Sequence, residues 1–374
     1  MSKKKILVVI QLVRYGGVEL VAINFARNLD KEKYDVSFLL IDPYENQNEA
    51  FYHELKDEGF RFIEMPRDAG GYLGKFRFID NLFQKEHFDA VHSHVIFFSG
   101  IVLAAAKKNH IPVRAAHSHI IKWNHSETMQ YRVYKTAMRY LLNSNATHKL
   151  ACSSASGAFL YGKGYKKGGM FVANGINTQK FAYNAAVGKE VRRELCIADD
   201  EIVVGHVGTV YAIKNQVFLA QIVSEMLKSG KRVRMLCVGE LVDDEPVRCM
   251  VQELGITEQV LFAGQRSDIH RLYQAFDIMI FPSLHEALPV SLIEAQASKL
   301  PCLISDTVTT EVKFNHNVSF MSLKSSADKW AEEAFRLLAV DRESVDITKL
   351  IDTYEISNVI KQLDAIYSGV NPKG

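Results

Sequence analysis

Short apolar runs alternate with amphipathic stretches along this chain, and glycine or polar turns separate them. The first run, Ile6 to Ile10, is apolar throughout; Gly16-Gly17 and an amphipathic segment from about Val18 to Leu29 follow it. A strand apolar throughout suits a parallel sheet covered on both faces, and the 3.6-residue pattern after it predicts a helix. Because the same alternation continues to the strand Ala90 to His92, the chain opens as a doubly wound α/β domain.

The pattern of strand, glycine turn and helix begins again at Ile202 to Gly208, with a helix predicted from Gln216 to Lys228. A chain of 374 residues exceeds the 250–300 residues at which single cores stop growing, so we expect two domains. The predicted fold is α/β, with two doubly wound, Rossmann-like parallel-sheet domains that face a central cleft. The predicted boundaries are 1–172, 173–357, and a C-terminal helix in 358–374 that packs back on the first domain.

The most informative stretch runs from Phe281 to Ala297. An apolar strand stops at Pro282, a loop carries Glu286, and a helix that opens at Pro289 carries Glu294. Proline suits the first helical turn, and the free amides and helix dipole there favour an anion. Lys214, at the start of the second domain's first helix, is equally well placed for a phosphate. The stretch therefore predicts an anion site flanked by two carboxylates, although either glutamate could be an ordinary helix residue.

Two H-x-H pairs end neighbouring predicted strands, His92-Ser93-His94 and His117-Ser118-His119. Imidazoles on one side of two strands could bind a metal ion. Only Asp89 adds a carboxylate nearby, so we favour polar or catalytic histidines that line a cleft, and no metal site.

The segment from Lys107 to Lys149 carries eight basic residues, one acid and several aromatic side chains. A helix is predicted from Glu127 to Leu142, on which Arg132, Lys135 and Arg139 share a face. The N-terminal half is also basic, with 25 Lys and Arg against 16 Asp and Glu in residues 1–185, or +9. A basic helix suits a membrane surface rich in anionic lipid, and a solvated helix face is the alternative. Nucleic-acid binding is disfavoured because the stacking aromatics of an RNA-binding sheet are missing.

Other patterns exclude several protein classes. No apolar run approaches the roughly 20 residues of a membrane span, and the first run is too short for a signal peptide, so we expect a cytoplasmic protein. The five cysteines are scattered and predict neither disulfides nor a structural zinc site. The glycine turns lack the GxGxxG fingerprint, which disfavours a nicotinamide enzyme.

Taken together, the chain resembles the GT-B fold retaining glycosyltransferases of family 4 (group 1), most of all the exopolysaccharide and capsule branch. Glu286 and Glu294 match that family's paired glutamates, and Lys214-Asn215 matches its phosphate lysine. Asn174-Gly175-Ile176 matches the interdomain turn and Gly16-Gly17 the N-terminal loop.

The resemblance implies retaining hexosyl transfer from a UDP- or GDP-sugar to a glycan or lipid-linked acceptor, at the inner face of the membrane, in polysaccharide synthesis. The second domain would hold the donor and the first the acceptor, with no cofactor and no divalent metal. Glu286 and one of His119 and His117, preferably His119, are the implied catalytic residues. The implied donor-binding residues are Gly16, Gly17, Lys214, Asn215, Arg266, Glu286, Ala287, Leu288, Pro289, Val290 and Glu294.

The sequence departs from the family at Thr209, where the family usually has a phosphate-binding arginine. Arg266 could compensate for the missing charge. Otherwise the chain could be a noncatalytic sugar-nucleotide-binding partner in an assembly complex. A GT-B epimerase or phosphorylase is the other enzyme class that the residues leave open.

Overall fold

A computed structural model describes residues 2–44, 48–122 and 128–369. The chain divides into two compact units, an N-terminal unit of Met1–Ile176 with Ile356–Gly374, and a C-terminal unit of Asn177–Glu355. The division points lie a few residues from the predicted boundaries at 172/173 and 357/358. The predicted α/β fold with two Rossmann-like parallel sheets is confirmed, since every strand pair among the described residues is parallel.

The sheet of the N-terminal unit has seven strands in the order β3-β2-β1-β4-β5-β6-β7. Its first strand along the chain, an interior strand of the sheet, is almost wholly buried from Ile6 to Ile10, as the uniform apolar run predicted. The strands are β1 (Lys4–Ile10), β2 (Tyr34–Leu40), β3 (Arg61–Glu64), β4 (Ala90–Ser93), β5 (Val113–Ser118), β6 (His148–Ala151) and β7 (Gly169–Phe171).

Helices of the N-terminal unit follow the strands in alternation, and one more comes from the C-terminal end of the chain. They are α1 (Gly17–Asn28), α2 (Glu49–Asp57), α3 (Tyr72–Lys85), α4 (Ser99–Lys108), α5 (Met129–Asn145) and α6 (Ser154–Tyr161). The additional helix is α14 (Ile356–Tyr367), which packs against α1. The predicted start of α5 at Glu127, and Trp123 before it, lie outside the described residues.

The C-terminal unit has a six-stranded sheet in the order β10-β9-β8-β11-β12-β13. Its strands are β8 (Ile202–Val207), β9 (Val233–Val238), β10 (Val260–Gly264), β11 (Ile278–Phe281), β12 (Cys302–Ser305) and β13 (Val318–Met321). Its helices are α7 (Ala185–Glu194), α8 (Gln216–Lys228), α9 (Glu245–Glu253), α10 (Ile269–Ala275), α11 (Val290–Ala297), α12 (Ala327–Leu338) and α13 (Thr348–Tyr354). All four residues of β11 are fully buried at the centre of the sheet.

Gly175 allows α14 to approach the end of the N-terminal unit's sheet. A Cβ atom at this position would lie 2.9 Å from Ile356 Cδ1 and 3.0 Å from Val359 Cγ2, both buried residues of α14. The carbonyl of Gly175 also accepts a hydrogen bond of 2.8 Å from Asn24 Nδ2 in α1. Close packing around a missing side chain therefore holds the C-terminal helix in place.

We expect Gly175→Ala to lower the free energy of unfolding by about 1–3 kcal/mol, because the added methyl overpacks against a β-branched side chain. Urea unfolding followed by circular dichroism measures the effect. Gly17→Ala is the matched control, because a Cβ there would meet no atom within 4 Å. Equal stability of the two variants would show that α14 does not depend on this contact.

Candidate functional site

The loop between β8 and α8 has a backbone shape that directs Lys214 inward. Gly208 has a φ of 153°, which favours glycine, and a Cβ there would lie 3.1 Å from Lys214 Cε. Asn215 adopts the left-handed conformation, with φ 57° and ψ 41°, as the residue before α8. The lysine side chain therefore lies over the glycine, where a larger residue would displace it.

Hydrogen bonds join this loop to the loop after β11. Asn215 Nδ2 donates to the Pro282 carbonyl at 3.1 Å, and the Leu284 amide donates to the Ile213 carbonyl at 2.8 Å. Lys214 Nζ lies 2.6 Å from Glu286 Oε1. The adjacent strands β8 and β11 therefore end in one connected pair of loops.

The ion pair between Lys214 and Glu286 is the electrostatic centre of this region. The two side chains are only 13% and 18% exposed, and the ammonium also lies 4.9 Å from the centroid of the Phe281 ring. Screening by solvent is weaker for such a pair than for surface pairs, so its two charges interact strongly with any ion that enters.

The helix after Glu286 begins at Val290, with Pro289 as its N-cap, one residue later than predicted. Ala287, Leu288 and Pro289 are buried before it, and Val290 is half-buried. The first amides of a helix have no intrahelical acceptor and carry the positive end of the dipole. This end of α11 can therefore interact favourably with an anion, as can the Lys214 ammonium.

Glu294 lies one turn into α11 and accepts a hydrogen bond of 3.0 Å from the Tyr273 hydroxyl. Desolvation raises the pKa of Glu294 to about 7, although that hydrogen bond and Lys180 oppose the shift. Tyr273, on α10, was not predicted as part of the site. Its oxygen also lies 2.9 Å from the Ser291 carbonyl, so its single proton is shared between that carbonyl and Glu294 at the start of α11.

Arg266, which could compensate for the arginine missing at position 209, already forms an ion pair. Arg266 donates two hydrogen bonds to the Asp268 carboxylate, at 2.8 and 2.7 Å. Thr209 contributes its carbonyl, which accepts from Gln216 Nε2 at 3.1 Å. Thr209 carries no charge, and the Arg266 guanidinium is already paired with the Asp268 carboxylate. Neither residue therefore supplies the unpaired positive charge expected at position 209.

In the N-terminal unit, Gly16 caps α1 and Gly17 is its first residue. Glu19, in the first turn of α1, is buried and lies 3.6 Å from Arg14 Nη2, a pair that the sequence did not single out.

The four histidines of the two H-x-H pairs form one cluster on one face of the sheet, at the ends of β4 and β5. In each pair of rings that are in contact, the two ring centroids lie 4.1–5.5 Å apart. Phe25 of α1 covers three of the rings, and Tyr367 of α14 contacts His92.

His117 and His119 differ in their surroundings. His117 is 1% exposed and its Nε2 faces the Val172 carbonyl at 3.2 Å, whereas His119 is 9% exposed and its Nδ1 faces Asn174 Oδ1 at 3.0 Å. Desolvation lowers the pKa of His119 to about 4 and that of His117 well below its ordinary value. Both imidazoles are therefore neutral near pH 7.

The helix α5 does not present all three predicted basic residues to solvent. Arg139 donates to the carbonyls of Phe159 and Leu160, at the end of α6, and Lys135 lies over the Phe159 ring. Arg132 is exposed. The most exposed face of α5 is instead largely apolar, with Met129, Val133 and Tyr140 at 73%, 63% and 71% exposure.

Two family models match the chain, one for each half. "Glycosyltransferase Family 4" matches residues 15–180 and "Glycosyl transferases group 1" matches residues 188–349.

Individual proteins extend the match over most of the chain. Putative glycosyltransferase EpsF of Bacillus subtilis is 32% identical, over 93% of this chain and 91% of that protein. The Escherichia coli UDP-Gal:alpha-D-GlcNAc-diphosphoundecaprenol alpha-1,3-galactosyltransferase is 23% identical, over 82% and 80%. The crystal structure of Anabaena HepE in complex with UDP superposes with a TM-score of 0.80 at 19% identity, over 98% of this chain and all of that one. The chain therefore belongs to the group 1 glycosyltransferases of family 4, which have the GT-B fold.

Proposed function

We propose that the chain is a retaining hexosyltransferase that moves a sugar from a UDP- or GDP-sugar to a glycan or lipid-linked acceptor, in the synthesis of a cell-surface polysaccharide. The observation that carries the proposal is the ion pair of Lys214 and Glu286 beside the start of α11. Support also comes from the UDP bound to HepE, and from the UDP-sugar donor and lipid diphosphate acceptor in the name of the E. coli relative.

The proposed role of Lys214 is to stabilise the leaving group. When the glycosidic bond breaks, its electron pair goes to the diphosphate, whose negative charge increases. The Lys214 ammonium and the backbone N–H groups of Ala287, Leu288 and Val290 would stabilise this charge, which is usually the largest contribution to such a rate. In this proposal no divalent ion is needed at the phosphates.

The two glutamates would bind different parts of the donor. Glu286 would accept hydrogen bonds from the sugar hydroxyls, and Glu294 from the ribose hydroxyls, with Asn215 shaping the phosphate loop. Gly16, Gly17 and Arg266 are proposed as further donor contacts. Of the two histidines, His119 is the proposed catalytic one because it is the less buried.

A second candidate is a noncatalytic sugar-nucleotide-binding protein, which Thr209 favours. The lost phosphate contact could weaken transition-state binding by about 1.5–3 kcal/mol. A GT-B epimerase would use the same donor site, but its product would be an isomeric nucleotide sugar rather than free nucleotide and a new glycoside.

We expect Lys214→Met and Glu286→Gln each to lower donor turnover at least about 100-fold, the usual cost of losing one preorganised charge partner. The assay measures nucleotide released from a panel of nucleotide sugars, with and without lipid-linked acceptor.

Lys228→Met and Glu225→Gln are the matched controls, because they remove the same charges from an exposed ion pair of 2.7 Å on α8. The controls should keep wild-type turnover. Wild-type protein that binds a nucleotide sugar but releases no nucleotide with any acceptor would favour the noncatalytic candidate.

The raised pKa of Glu294 predicts a pH dependence of donor binding. A carboxylate accepts hydrogen bonds from hydroxyls better than a protonated carboxyl does. Donor affinity should therefore rise with pH, by at most about tenfold per pH unit, up to about pH 7 and level off above it. Calorimetric titration with UDP-glucose measures this, since its diphosphate does not titrate in this range. Glu294→Gln should bind more weakly with little pH dependence, and an equally steep dependence in that variant would contradict the assignment.

We further propose that the N-terminal unit binds an anionic membrane surface through α5, at the inner face of the membrane. The exposed apolar residues Met129, Val133 and Tyr140 would enter the interface, and Arg132 beside them would attract acidic lipid. Lys135 and Arg139, which the sequence placed on the same basic face, would instead hold α5 to α6. Among the described residues, no helix is long and apolar enough to cross a membrane.

Val133→Asp and Arg132→Glu should each reduce sedimentation of the protein with liposomes that contain anionic lipid. Lys189→Glu, the same charge change on an exposed residue of α7, should leave sedimentation unchanged. Equal sedimentation with purely zwitterionic liposomes would contradict the role of anionic lipid, and no sedimentation with either kind would show that this face of α5 is solvated.

A further inference from the structure

Three buried histidines of the cluster each have one ring nitrogen without a partner among the described residues. These nitrogens are His92 Nε2, His94 Nε2 and His117 Nδ1. One nitrogen from each of the three lies within 4.8 Å of one from each of the others, and the three side chains are at most 3% exposed. Buried polar atoms normally have a partner, so three unpartnered nitrogens in one histidine cluster require an explanation.

The opposite nitrogen of each ring is held by another group. His92 Nδ1 lies 2.6 Å from the Tyr367 hydroxyl, and His117 Nε2 lies 3.2 Å from the Val172 carbonyl. A carbonyl can only accept, so His117 Nε2 carries the proton and Nδ1 presents a lone pair.

A chain of hydrogen bonds sets the proton position of His94 in the same way. Asn174 Oδ1 lies 3.0 Å from His119 Nδ1, and because an amide oxygen can only accept, His119 Nδ1 carries the proton. His119 Nε2 is then a lone pair that accepts from His94 Nδ1 at 2.9 Å. His94 Nε2 is consequently deprotonated and, like His117 Nδ1, carries a lone pair that a metal ion could use.

We propose that His92, His94 and His117 bind one divalent transition-metal ion, with Zn²⁺ as the preferred ion, inside the N-terminal unit. Neutral imidazoles suit such ions, and a ligating histidine usually has its other nitrogen held by a carbonyl or a similar group. Three histidines with a water or hydroxide as the fourth ligand form a known zinc site. Nitrogens around a tetrahedral ion at about 2.0–2.1 Å are some 3.3 Å apart, so small side-chain rotations would complete the site.

The proposed ion has a structural role that goes beyond sugar transfer. It would join the ends of β4 and β5 directly and, through His92 and Tyr367, stabilise the position of α14. This assigns His117 to the metal and leaves His119 as the catalytic candidate, which would exchange its hydrogen bond to Asn174 or to His94 for one to the donor. The competing explanation is one buried water molecule that hydrogen bonds to all three nitrogens.

The test begins with metal content. Full-length protein, purified without a metal-affinity column, should contain about one Zn²⁺ per chain by mass spectrometry. After the ion is removed with a chelator in mild urea, added Zn²⁺ should raise the Tm, whereas Mg²⁺, which prefers oxygen ligands, should not. Co²⁺ in its place should give the visible spectrum of a tetrahedral site.

Variants locate the ion. His94→Ala with His117→Ala should lose the metal, and Tyr367→Phe, which keeps the ring against His92, should bind Zn²⁺ about 10–100-fold more weakly in competition with a chromogenic chelator. His206→Gln is the control, because His206 is a fully buried histidine of the C-terminal unit whose ring nitrogens have no partner among the described residues. It should retain the metal.

Two outcomes would overturn the proposal. Wild-type protein without bound metal, with the same Tm in Zn²⁺ and in chelator, would leave the water molecule as the explanation. Zinc retained at one per chain in the double variant, or unchanged affinity in Tyr367→Phe, would place the ion elsewhere. If the double variant does not fold, Tyr367→Phe and the Co²⁺ spectrum still decide. None of these measurements depends on transferase activity.

Discussion

Parallel strands covered on both faces determine where this molecule can place polar side chains. Residues in the middle of such a strand are surrounded by apolar neighbours, and a charge there would lose its hydration without gaining a partner. The strand ends are the exception, and in a parallel sheet all the carboxyl ends lie along one edge. The pair of Lys214 and Glu286 follows adjacent strands β8 and β11, and the four histidines lie at the ends of adjacent strands β4 and β5.

This constraint also explains why much could be predicted from the sequence. The run from Ile278 to Phe281 is apolar because it is buried on both faces, and strand, turn and helix follow one another locally along the chain. Once two such units are recognised as doubly wound, the ends of their adjacent strands must meet. The proximity of Lys214 to Glu286, 72 residues away, could therefore be anticipated without any long-range information.

Other features depend on contacts that no local pattern reveals. The sequence did not predict α6, α7, β13 or α13, which are short or carry many charges; α7 starts at the Asn184 cap and buries little beyond Val191. The spacing in α5 placed Arg139 and Lys135 on one face but could not tell that the end of α6 lies against that face. Likewise, the contact between His92 and Tyr367 spans 275 residues and arises only because α14 returns to the N-terminal unit.

The resting ion pair has a consequence for selectivity. Lys214 is paired with the Glu286 carboxylate before any ligand arrives. A diphosphate that binds Lys214 would therefore replace that carboxylate, and one ion pair would be exchanged for another. The lysine then contributes only the difference between two pairings, which is much smaller than the energy of either. Inorganic phosphate gains little from such a site, since it has no other group to add. Discrimination among ligands must instead come from the additional contacts that the sugar, the ribose and the base would make.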